Sequence, residues 1–98
     1  MKLPSSNARE VAEMLAIQAL GFMAEEPERL GAFLNATGLS LERLRESATA
    51  PGFLAGVLEH MLANESLLLA FATSAAIDPA EVARAHNALG PQWERDVP

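Results

Sequence analysis

Apolar residues recur along the chain at helical rather than strand spacing, and Pro, Gly, Ser, Asn and Asp punctuate them into six segments, each predicted to be a helix. The first is expected to open near Asn7, with Glu10 reaching back from the third helical position, and to run to about Ala24. Its apolar residues spread around the circumference. Val11, Leu15 and Phe22 share one face with Met14 nearby, while Ile17, Leu20 and Met23 point elsewhere. Such a helix is either central in the fold or half of a contact with another chain.

The next segments carry clearer signals. "EEPERLGAFLNATG" places Pro27 at a first helical position and Gly38 where a left-handed C-terminal residue is wanted, with Leu30, Phe33 and Leu34 as its inner stripe. "LERLRESA" follows, capped by Ser40, with Leu39 and Leu44 spaced as a hydrophobic staple. Pro51 opens a fourth helix whose Leu54, Val57, Leu58, Met61 and Leu62 form a broad stripe, with Glu59 opposite. Asn64 ends that helix and caps a fifth, where Leu67, Leu68, Leu69 and Phe71 cover too many directions for a surface helix. Asp78, Pro79 and Glu81, with an Ile77 and Val82 staple, give the sixth the strongest start in the chain, and Gly90 and Pro91 stop it.

Sliding the sequence by 38 positions sets Leu20 on Leu58, Met23 on Met61, Leu30 on Leu68, Ala32 on Ala70 and Phe33 on Phe71. Leu39, Ser40 and Leu44 fall on Ile77, Asp78 and Val82, so the staple recurs at the same distance from the same phenylalanine. The echo reads as two three-helix units in tandem. A chain so rich in Leu and Ala also supplies matches by coincidence, which leaves an unrepeated bundle open.

Composition narrows the class without naming a function. Few β-branched residues and abundant Ala and Leu favour an all-α fold, a compact bundle of six short helices over residues 1–90 followed by a tail, 91–98, that lacks periodicity and holds Trp93. With no cysteine, disulfides and thiolate zinc sites are excluded. "MKLPSSNAREVAEM" lacks the apolar run of a signal peptide, and "LLLAFA" is far short of the about 20 residues a membrane span needs. A cytoplasmic protein without a membrane segment is expected.

Asn35 to Ala48, "NATGLSLERLRESA", has the outline of a DNA-reading helix-turn-helix, within a segment covering 33–48, and would offer Arg43 and Arg45 as contacts. Three features argue against that role. Leu34 stands where a small residue usually permits close helix crossing, Glu42 and Glu46 interleave with the arginines, and the net charge is -6. The second copy, "TSAAIDPAEVARAH", uses the same corner without resembling a DNA reader. A corner that packs neighbouring helices is the expectation, with nucleic acid as the rival reading.

Catalytic and metal patterns are missing. His60 has Val57 three residues before it and Asn64 four after, where a second ligand would stand, and His86 has Ala83. His60 is expected to be a partly buried, hydrogen-bonded residue in the place Phe22 fills in the first unit. Glu10 with Glu13, and Glu25 with Glu26, read as solvated surface, and no phosphate-binding glycine loop or nucleophile elbow occurs. No enzyme activity, cofactor or metal is expected. The excess of apolar faces instead points to a protein-interaction domain, in the form of a homodimer, with Met14, Ile17, Leu20, Met23, Leu67, Leu69 and Trp93 as the candidate surface. A small apolar-ligand pocket between the fourth and fifth helices is a third reading.

The runs "ALGFMAEEPERLGAFLNATGL", "PGFLAGVLEHMLANESLLLAFA" and "DPAEVARAHNALG" resemble an uncharacterised family of small alphaproteobacterial proteins, domain-of-unknown-function family 3572, over Ala8 to Gly90. The resemblance implies a helical bacterial cytoplasmic protein, with no catalytic residues to carry over.

Overall fold

A computed structural model describes residues 4–47 and 51–89 as six helices: α1 (Pro4–Ala24), α2 (Pro27–Thr37), α3 (Leu41–Ser47), α4 (Pro51–Leu62), α5 (Glu65–Ala75) and α6 (Pro79–Leu89). Four of them begin at a proline, where the missing N–H would be unpaired in any case and the fixed φ suits the first turn. That rule also corrects the expected start of α1. Asn7 lies inside the helix, which opens at Pro4.

The core is built on α1, α4 and α6. From α1 come Ala12, Ala16, Ala19 and Met23; from α4 Leu54, Val57, Leu58 and Met61; from α6 Val82, Ala85 and Leu89, all buried. α6 lies against both α1 and α4, while α2 packs on α1 and α5 on α4, bringing Phe33 and Phe71 into the same core. The α1 contribution is mostly methyl groups. Larger side chains of the same helix, Leu15, Leu20 and Phe22, pack partly buried against this core.

The two halves repeat in geometry as well as in sequence. Glu26 N–H donates to Met23 O at 3.1 Å and Asn64 N–H to Met61 O at 3.2 Å; Leu30 N–H donates to Glu26 O at 3.1 Å and Leu68 N–H to Asn64 O at 2.9 Å. The corners match too: Leu39 N–H reaches Leu34 O at 3.2 Å and Ile77 N–H reaches Ala72 O at 2.9 Å, around Gly38 at φ 75° and Ala76 at φ 58°. Contacts between the halves exchange in the same way. Phe22 packs on Phe71 with ring centroids 5.5 Å apart, and their counterparts His60 and Phe33 pack at 5.3 Å. Each half thus offers its first-helix ring to the other half's phenylalanine, the signature of an approximate two-fold relation.

The symmetry fails at the third helix of each unit. α6 is docked, with Val82 and its neighbour in the core Leu58 both fully covered. α3 buries no residue and makes no extensive contact with another helix; Leu44 and Leu20, the counterparts of Val82 and Leu58, stay only partly buried. The corner therefore does less than expected. Its backbone lock at Gly38 is present, and Ser40 Oγ accepts from Arg43 N–H at 3.3 Å, but the helix beyond meets the core only through half-buried Leu44.

Candidate interaction surface

α1 turns three of its large apolar side chains to solvent, while Leu15, Leu20, Phe22 and Met23 pack on or in the core. Val11 is 58 % exposed, Met14 63 % and Ile17 50 %, while the fully covered line of the helix is Ala12, Ala16, Ala19 and Met23. At about 100° per residue, Met14 points almost directly away from the Ala12, Ala16, Ala19 and Met23 line, with Ile17 and Gly21 beside it. Full burial of such side chains is worth roughly 1.5–3 kcal/mol each, so the half or more left in water forgoes roughly 1 kcal/mol apiece. Nothing inside the described residues recovers it.

The surface continues onto α3. Leu20 forms an open groove of about 700 Å³ with Leu41, Leu44, Glu42, Arg45 and Glu46, and Leu41 is itself 62 % exposed. The groove exists because α3 is undocked: in the other half α6 fills the equivalent space.

Sequence reasoning placed four of its candidates where the structure leaves apolar surface: Met14, Ile17 and Leu69 are exposed, and Leu20 is half-buried at the groove. Two candidates are corrected. Met23 belongs to the inner face of α1 and is fully covered, and Leu67 is a buried residue of α5 that shows only an edge. Trp93 lies outside the described residues. Val11 and Leu41 were missed; both stand on helices whose apolar residues point in several directions, and only the observed packing sorts inner from outer.

Arg43 and Arg45 are exposed on α3, but so are Glu42 and Glu46, so this helix presents a mixed surface and no cationic ridge. His60 is half-buried, edge-on to Phe33, and desolvation holds its pKa below the ordinary 6.5. Among the described residues its ring makes no hydrogen bond, which corrects the expected hydrogen-bonded histidine. The groove it shares with Glu28, Arg29, Asn64, Ser66 and Leu67, about 280 Å³, is open and rimmed by polar groups, unlike the apolar pocket expected between α4 and α5. Arg29 is spent on Phe22, its guanidinium 4.5 Å from the ring centroid.

Among the described residues no three His, Asp or Glu side chains gather as a metal site, and no single helix is long and apolar enough to cross a membrane. α4 and α5 reach that apolar length only when joined, and they meet at a bend of 106°.

The fold and surface together define a small all-helical domain whose most prominent feature is an apolar helix face. The chain belongs to the family described as protein of unknown function, DUF3572, whose model matches residues 9–92. No curated protein and no solved structure matches it.

Proposed function

We propose that this protein is a cytoplasmic protein-interaction domain that docks through the outer face of α1 and its shoulder on α3. The observation that carries the reading is the outward side of α1: Val11, Met14 and Ile17 stand half or more exposed on a helix whose other large apolar residues, Leu15, Leu20, Phe22 and Met23, are half-buried or buried against the core. A helix shaped only by its own fold would bury the larger side chains, since these gain most by leaving water. Exposed apolar patches with polar surroundings are the ordinary mark of protein contact. The charge balance supports a protein over nucleic acid, since a net -6 gives no counterion release on a phosphate backbone.

Photo-crosslinking amino acids placed at position 17, and at position 59 on the far side of α4, test this in living cells. The reading predicts adducts, identified by mass spectrometry, from position 17 and none from the Glu59 site. Equal yields from both, or none from either, would overturn it.

A further inference from the structure

Gly21 is the feature of α1 that the single chain does not explain. It opens the last turn of α1, where alanine would be the better helix former, and a Cβ built on it meets nothing within 4 Å. It is exposed on the same side as Met14, two turns earlier, and the two directions differ by about 20°. A bulky side chain and an empty position thus stand about 10 Å apart on one line, with Ile17 and Gln18 between them.

That arrangement is its own complement when the helix runs antiparallel to itself. Resting on the reading above, we infer that the occupant of this face is a second copy of the chain, with Met14 of each copy seated on Gly21 of the other. The two-fold axis then passes between positions 17 and 18. Ile17 meets Ile17 on one side of the seam, and Gln18 meets Gln18, whose amides can donate and accept reciprocally, on the other. The contact is one helix wide, at the low end of interface size, below about 1,200 Å² in total, so the dimer forms weakly and is concentration-dependent. Glu10 of each copy approaches the Glu25 end of the other, and raised salt screens that repulsion and strengthens the dimer.

The chain has no cysteine, so introduced thiols report the register cleanly. Sedimentation equilibrium across the micromolar to millimolar range is expected to show a dimer that tightens with salt and is weakened at least tenfold by Gly21→Leu, whose Cβ meets nothing within 4 Å in the single chain. On oxidation, Ile17→Cys is expected to form a covalent dimer. Met14→Cys and Gly21→Cys chains are expected to cross-link to each other when mixed, and Glu59→Cys chains are not expected to cross-link. A monomer throughout, or a dimer in which Met14→Cys and Gly21→Cys fail to join, overturns the inference. Adducts from position 17 to other proteins alone would overturn the second copy and leave the interaction reading standing; no adduct at all would remove both.

Discussion

Three residues hold conformations or environments with a measurable cost. Ala76 occupies the left-handed turn that Gly38 occupies in the first half, and its Cβ makes that conformation unfavourable by roughly 1–2 kcal/mol. Ala76→Gly is expected to raise stability by about 0.5–1 kcal/mol after the extra freedom of unfolded glycine is allowed for, seen as a higher urea midpoint. Gly21→Ala adds a helix former where space is open, and should raise the stability of the single chain by a similar amount, about 0.5–1 kcal/mol, in dilute solution. His60 sets a pH dependence. Desolvation lowers its folded pKa below 6.5, so the unfolded chain takes up the proton more readily. The stability it contributes is complete above the unfolded value and is lost as pH falls from about 6.5 toward the lower folded value. Urea midpoints taken between about pH 8 and about pH 5.5 should fall with acidity, and His60→Phe, which installs the ring its counterpart Phe22 already carries, should flatten that part of the profile.

At the scale of elements, most boundaries were legible because they are written in local chemistry. Pro27, Pro51 and Pro79 open helices, Gly38 closes one at φ 75°, and Asn64 Oδ1 accepts from Leu67 N–H at 3.2 Å, each as the residue type dictates. The start of α1 obeys the same proline rule at Pro4, but the capping pattern at Asn7 and Glu10 competed with it in the sequence. What local chemistry does not encode is whether a helix docks. α3 and α6 share a cap and staple pattern, yet Val82 is buried and Leu44 is not, because docking depends on which space other helices have already filled. The difference predicts unequal caps. Asp78 Oδ1 accepts from Ala80 N–H at 2.9 Å in a docked helix, so Asp78→Ala should cost about 1 kcal/mol of global stability. Ser40→Ala should cost less than about 0.5 kcal/mol, with its effect confined to faster amide exchange in α3.

For the molecule as a whole, the all-helical class and the two-unit echo could be read from the chain, and the exchanged pairs Phe22 with Phe71 and Phe33 with His60 show the echo to be spatial. The interaction surface was legible only in part. Apolar stripes in a sequence are ranked by side-chain size, whereas the line of α1 that faces α6 and α4 is Ala12, Ala16 and Ala19 with Met23. Met14 and Met23 are indistinguishable by composition, yet one is 63 % exposed and the other fully buried. That contrast supplies the most direct measurement of the account, which holds that the outer face of α1 serves contact and the inner face serves the fold. With ¹³C-labelled methionine methyls followed by NMR while the protein is concentrated from dilute solution, the Met14 signal should shift progressively and those of Met23 and Met61 should stay fixed. A Met14 methyl that ignores concentration, or core methyls that move with it, would contradict the claim.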